Sequence, residues 1–254
     1  MQGINNKEVA KLIMQALNFK QEGNLISAEL NLKKALKIEP DNFIVLNNLG
    51  NIYSVKNQLN KAKNFFSRAI NIKQDYSSAI FNLALINEEM GNKKVAVGLY
   101  KNAIKYDPDN LGFHYNLSRI DETFFNNNNI KNVKRILKNE KNSNFNKSSG
   151  FFILAHDQRI KIDLKKEFQY LTEAHKYFHL SNEKVNNQIS FYWIRLMPKI
   201  IKKFNFSSKK QIPKKIKPIF IMGLPRSGST LIENILCSGK KTIPNGGETA
   251  IINR

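Results

Sequence analysis

Acidic residues are scarce in this sequence, and so are cysteines, histidines and long apolar runs. Of 254 residues only 20 are Asp or Glu, against 41 Lys and Arg, for a formal net charge of +21. A chain this short of carboxylates is a candidate for binding nucleic acid, an acidic substrate or anionic lipid. Its composition points elsewhere: Lys, Asn and Ile are abundant together, as a low-GC genome produces, and the lysines are scattered over helix faces instead of gathered in one block. No nucleic-acid partner is expected. Cys237 is the single cysteine, which excludes an internal disulfide. It falls on the apolar side of a predicted helix, where a core thiol belongs. The first residues carry no apolar signal core, and no run approaches the ~20 apolar residues that span a bilayer. These absences predict a cytoplasmic protein with no membrane partner. His175 and His179 stand four apart on a predicted helix, but no Glu follows His175 and no third ligand is evident, so no metal site is expected. His114 and His156 are lone residues that read as filling residues.

What the chain does have is a repeat. Ala28, Ala62 and Ala96 are spaced by 34 residues, and so are Ala35, Ala69 and Ala103. Leu32, Phe66 and Tyr100 hold a large position between them. Pro40 and Pro108 close the first and third units, and Gln74 replaces the proline of the second. Small alanines let two antiparallel helices approach, the large residue fills the hole between units, and each unit leaves an apolar face that only a neighbour buries. With Leu46, Leu49, Gly50 and Tyr53 in the middle unit, the pattern resembles the tetratricopeptide repeat (TPR). Three TPRs are predicted, at 9–42, 43–76 and 77–110, so that 9–110 is the first domain.

A fourth, weaker unit begins near Leu111, with Leu117 and Ser118 in register. The run from Asn126 to Asn129 reads as a polar loop between helices. The helix after it is predicted over 130–139, and 141–149 reads as a polar stretch. A fifth pair follows, with Leu154 and Ala155 in its first helix and Leu171 and Ala174 in its second. Glu167 occupies a small-residue position there, which predicts looser packing. A final helix is predicted over 185–204, interrupted near Pro198. Residues 111–204 are thus degenerate TPR-like helices, and 205–217, with Pro213, are a basic linker. On the first helices Asn48, Asn82 and Asn116 recur at the same 34-residue period. In the TPR fold this helix lines the concave groove. The resemblance therefore implies a ladder of carboxamides for the backbone of an extended peptide, each with a donor and an acceptor. Bonding between neighbouring helices is the alternative use for the same residues.

The chemistry lies in residues 217–237. Residues 218–222 are a short apolar, β-prone run, typical of a strand buried in a parallel sheet. Residues 223–229 are turn-rich, and Leu231, Ile232, Ile235 and Leu236 then follow helical spacing. A loop that opens a helix offers unpaired N–H groups and a positive dipole end, which is an anion site. Gly223, Gly228 and Thr230 fit the nucleotide loop G-x-x-x-x-G-K-[ST], but Ser229 stands where its lysine belongs. That lysine reaches the β- and γ-phosphates, so its loss argues against ATP or GTP hydrolysis. The cation is Arg226 instead, among the hydroxyls of Ser227, Ser229 and Thr230. This set suits one phosphate-like group held from several sides.

The stretch PIFIMGLPRSGSTL resembles the 5′-phosphosulfate loop of sulfotransferases that use 3′-phosphoadenosine-5′-phosphosulfate (PAPS). It is most similar to the bacterial type with an N-terminal TPR array, related to protein-tyrosine sulfotransferases. The family loop usually ends Gly-Thr-Thr; here it is Gly228, Ser229 and Thr230. The resemblance implies that Arg226, Ser227, Gly228, Ser229 and Thr230 bind PAPS as co-substrate, with no metal. Asn245, Gly246, Gly247, Glu248 and Thr249 resemble the Gly-Glu-Glu-Thr stretch of the tyrosine enzymes, whose second glutamate is the general base. Glu248 matches that glutamate. Gly247 replaces the first one and the spacing needs an inserted residue, so an ordinary turn carboxylate is the alternative. The implied catalytic residues are Glu248 and Arg226.

The expected fold is mainly α: a TPR α-solenoid followed, over 218–254, by the first β-loop-α unit of a P-loop-like α/β sulfotransferase domain. The family's 3′-phosphate site would lie beyond Arg254, so a C-terminally truncated chain, inactive alone, is expected. The expected function is sulfuryl transfer from PAPS to an acceptor hydroxyl. Protein tyrosine is placed ahead of carbohydrate or small-molecule acceptors, with the array holding a protein or peptide acceptor. The alternative is a TPR adaptor for protein–protein interaction with a vestigial, inactive sulfotransferase segment.

Overall fold

The computed structural model describes residues 2–183, all within the first of the chain's two units, Met1–Trp193. The helix expected over 185–204, the linker 205–217, Cys237 and the β-loop-α unit expected over 218–254 lie outside the described residues.

Among the described residues ten α-helices run in succession, with no strand. They are α1 (Gln2–Gln21) and α2 (Leu25–Ile38), α3 (Phe43–Val55) and α4 (Leu59–Ile72), α5 (Ser77–Glu89) and α6 (Lys93–Tyr106), α7 (Leu111–Ile120) and α8 (Asn127–Leu137), and α9 (Asn144–Ile160) and α10 (Leu164–Ser181). Within four of these pairs the two helices pack directly on each other, and each second helix of the first three pairs also packs on the next first helix. Successive first helices touch as well, α3 with α5 and α7 with α9, which places the first helices on the inner side of the array.

The local sequence explains the boundaries. Asn24 caps α2 by accepting from Ser27 N at 3.0 Å, and Asn42 caps α3 by accepting from Ile44 N and Val45 N at 3.1 and 3.0 Å. The turn inside four of the five pairs holds one residue in the left-handed region. Gly23 (φ 79°), Asn57 (φ 57°) and Gly91 (φ 81°) supply it at equivalent places, and Ile162 (φ 59°) fills the same place in the last pair. A β-branched residue is costly there.

The repeat alanines do what their size permits. Ala28, Ala35, Ala62, Ala69, Ala96 and Ala103 are wholly buried, and Leu32, Phe66 and Tyr100 fill the gaps between helices. Gly50 on α3 admits the Phe66 ring at a distance no side chain would tolerate: a Cβ would lie 2.5 Å from it. Among the described residues no buried side-chain polar atom lacks a partner.

The fourth pair departs from the pattern. Helix α7 stops at Ile120, a 3-10 turn covers Glu122–Phe124, and α7 packs mainly on α9 instead of α8. The asparagine run is no loop. Asn126 accepts from Asn129 N at 3.0 Å and starts α8, since asparagine is a strong cap even where it looks like a linker. The polar stretch 141–149 is also corrected: Ser143 caps α9, and Ser148, Ser149 and Gly150 are buried within it because their small size lets α9 approach its neighbours. Packing at Glu167 is not loose either. The α9–α10 pairing is the most extensive among the described helices, and the buried Glu167 carboxylate accepts from Arg159 Nε at 2.7 Å.

Candidate functional site

The inner side of the array is built from one face of each first helix. Asn48, Asn82 and Asn116 stand there, half-buried, at one place per helix. The amide nitrogens of Asn48 and Asn116 donate back along their own helices, to Ile44 O at 2.9 Å and Gly112 O at 2.8 Å. Asn82 instead reaches across to the preceding unit and donates to Asn47 Oδ1 at 2.9 Å. Tyr76 meets the same Asn47 carboxamide; burial pushes its phenol up, and the Asn47 bond offsets part of that. Arg119 donates to Asn116 Oδ1 at 3.3 Å, so that oxygen is engaged, whereas those of Asn48 and Asn82 have no hydrogen-bond partner among the described residues. The nearly buried Asn47, one residue before Asn48, was not legible in the sequence. Its place is Ile13, Phe81 and Tyr115 in the neighbouring units, so the repeat gives no signal for it.

Farther along, aromatic residues meet on the inner side. Tyr115 of α7 and Phe152 of α9 pack with ring centroids 5.8 Å apart. His175 sets its ring edge-on to Phe152 at 5.2 Å. Tyr115 and Phe152 are 37 residues apart instead of 34, because three residues are added between the fourth and fifth pairs. A search at fixed period passes over them.

The histidines have separate surroundings. His114 is buried, and its Nε2–H donates to Pro108 O at 2.8 Å. Burial holds its imidazole below the usual histidine range. His156 is exposed and lies against the Phe125 ring at 4.5 Å. Among the described residues no group of His, Cys, Asp or Glu is placed to hold a metal ion, and no helix is long and apolar enough to cross a membrane.

A second polar cluster ties the first two units together. Glu29 accepts from Tyr53 Oη at 2.7 Å and pairs with Lys33 at 2.6 Å and with Lys56. Burial alone would raise its carboxyl, but bonds from Lys33, Lys56 and Tyr53 hold it at about 2.

Arg226, Ser227, Gly228, Ser229, Thr230 and Glu248 all lie outside the described residues. For them the comparisons with known proteins bear only on the stretch as a whole. Residues 218–254 match the model of the Sulfotransferase family. Residues 31–64 and 77–110 match models of the tetratricopeptide repeat. The described helices form a TPR solenoid.

Its TPRs are similar to part of the protein O-mannosyl-transferase Tmtc3 of Drosophila melanogaster, 34% identical over 80 residues, which are 32% of this chain and 9% of that protein. They are also similar to the uncharacterized protein ycf37 of Pyropia yezoensis, 35% identical over 91 residues. This chain covers 51% of ycf37, about half its length. Among solved structures, MamA aligns at TM-score 0.48 and 16% identity over 66% of this chain and 96% of its own. The first TPR of Spaghetti (RPAP3), bound to an HSP90 peptide, aligns at TM-score 0.45 and 15% identity over 47% and 98%. A TPR array supports a role in protein interaction, and the short match at 218–254 marks a sulfotransferase-like region later in the sequence.

Proposed function

We propose that this chain carries the acceptor-binding array and the phosphosulfate loop of a PAPS-dependent sulfotransferase that works in the cytoplasm on protein tyrosine. The observation that carries this reading is the match of 218–254 to the Sulfotransferase family. It opens at Pro218, at the head of the stretch whose loop residues suit a single phosphate-like anion.

In this reading the N–H groups of the loop, the Arg226 guanidinium and the hydroxyls of Ser227, Ser229 and Thr230 hold the 5′-phosphosulfate of PAPS, with Gly228 allowing close approach. The acceptor oxygen bonds to sulfur as the sulfur–oxygen bond to the nucleotide phosphate breaks. The bonding pair leaves with adenosine 3′,5′-bisphosphate. Arg226 offsets the charge that grows on that phosphate, and Glu248 takes the acceptor's proton. A tyrosine phenol, with pKa about 10, needs such a base at neutral pH. The TPR solenoid holds the acceptor as an extended peptide on its inner side, where Asn48 and Asn82 offer carboxamide oxygens to backbone N–H groups.

The test uses the complete gene product with radiolabelled PAPS and a tyrosine peptide, for which transfer of label is expected. Arg226→Ala should weaken binding of adenosine 3′,5′-bisphosphate about ten- to a hundredfold by calorimetry, the worth of a charge-assisted bond. Glu248→Gln should lower kcat by about 10²–10⁴-fold and spare nucleotide affinity. Nucleotide affinity unchanged by Arg226→Ala removes the enzyme and leaves a TPR adaptor.

A further inference from the structure

We infer that Asn146 is a clasp: a positioning residue on α9 that caps α7 from another repeat and so fixes the last helix pair against α7. Helix α7 has lost its local cap. Asn110 stands at the cap position but makes no bond to the helix; its amide donates instead to Asp107 Oδ2 at 3.1 Å. The missing acceptor comes from Asn146, whose Oδ1 takes the Leu111 N–H at 2.6 Å. Asn146 Nδ2 donates to Asp109 O at 2.9 Å and to Asn142 Oδ1 at 2.9 Å. One side chain thus spends its acceptor on the first N–H of α7 and its donors on the loop before α7 and the turn before α9. For comparison, Asn42 caps α3 from the position immediately before that helix.

The surroundings hold that bridge in place. Arg135 of α8 donates to Asp109 Oδ1 at 2.8 Å, and His114 pins Pro108 O at 2.8 Å, so the 107–110 loop is tied from three helices. The Phe145 ring lies against Gly112, where a Cβ would be 3.0 Å away. Gly150, one turn farther on α9, leaves room for Leu111 and Leu137. This close approach lets α7 pack on α9 instead of α8, and it sets the register in which Tyr115 meets Phe152 at 5.8 Å. The clasp stands whatever the acceptor is, since it depends only on contacts within the array.

Amide hydrogen exchange of the 254-residue chain tests it. Asn146→Ala should speed exchange of the Leu111 N–H roughly tenfold, the worth of a lost cap, and loosen 107–114, while α3 and α4 keep their protection. Asn146→Asp retains an oxygen for Leu111 but loses the donors, so Leu111 should stay protected while the 107–110 loop loosens. Unchanged Leu111 exchange in Asn146→Ala overturns the clasp. So does acceleration spread evenly over α3 to α7, which is what a merely stabilising residue would give. Should the Ala variant fail to fold, the Asp variant decides alone: loss of Leu111 protection there overturns the assignment.

Discussion

Two helical glycines should answer the same substitution with opposite signs. Gly50 on α3 faces Phe66 on α4, and a Cβ at Gly50 would stand 2.5, 2.7 and 2.8 Å from three ring carbons. The ring cannot retreat, since Phe66 is 1% exposed and sits between the wholly buried Ala62 and Ala69. Replacing glycine by alanine in a helix is worth about 1 kcal/mol in favour of folding. Overpacking a filled core costs typically ~1–3 kcal/mol, and three contacts this short belong at the upper end. The expected net for Gly50→Ala is a loss of about 1–2 kcal/mol. Gly98 on α6 has nothing within 4 Å of a would-be Cβ, so Gly98→Ala keeps the propensity gain. A stabilisation of about 0.8–1 kcal/mol is expected there. Urea unfolding followed by circular dichroism reads both as shifts of the midpoint at constant slope. Combining Gly50→Ala with Phe66→Leu removes the ring that blocks the methyl, so the pair should cost less than the two singles added, by at least ~0.5 kcal/mol. A Gly50→Ala chain as stable as the parent, or two glycines shifting in the same direction, refutes the argument from close approach.

Further outcomes follow from the turns and from titration. Ile162 is 82% exposed with φ 59°, so it has little packing to lose and pays for left-handed backbone. Ile162→Gly should raise stability by about 0.5–1 kcal/mol, measured by thermal melting, and a lower melting temperature would show that the backbone there is not strained. Acid should weaken the array in two windows. His114 is held below its ordinary 6.5, so the unfolded chain takes up a proton first and stability falls as pH drops below that value. Glu29 is held at about 2 against an ordinary 4.5, so its contribution is full above 4.5 and lost as pH falls toward 2. His114→Asn should flatten the upper window and Glu29→Gln the lower one in melts taken against pH. Profiles unchanged by either substitution would rule those groups out.

The parts of the fold that repeat were legible, because size and spacing carry them. Ala28 to Ala103 and Leu32, Phe66 and Tyr100 sit where a 34-residue period puts them. Where the period slips, one-dimensional reading fails for a physical reason. The asparagines at 126–129 and the serines at 148 and 149 look like linker residues, but capping geometry and small volume make them parts of α8 and α9. Asn47 and Asn146 act through partners 35 residues away, at places that no other unit shares. The glycine at 50 gave away its repeat position and not the ring that fills it.

The orientation of the asparagine ladder limits what the inner side can do alone. Asn116 has its oxygen engaged by Arg119, which leaves Asn48 and Asn82 as the two rungs with acceptors to offer. Adjacent packed helices lie about 8–10 Å apart and an extended chain advances about 3.3 Å per residue, so two rungs would meet N–H groups roughly three residues apart. Neutral hydrogen bonds net only about 0.5–1.5 kcal/mol each. Two of them fall far short of the ~8 kcal/mol behind micromolar affinity. Under the proposed function the rest would come from apolar contact, and Tyr115 with Phe152 is the aromatic pair placed to supply it. Under that reading an acceptor would be fixed in direction by its backbone and in register by one bulky side chain. That arrangement suits a substrate that must bind, react and leave.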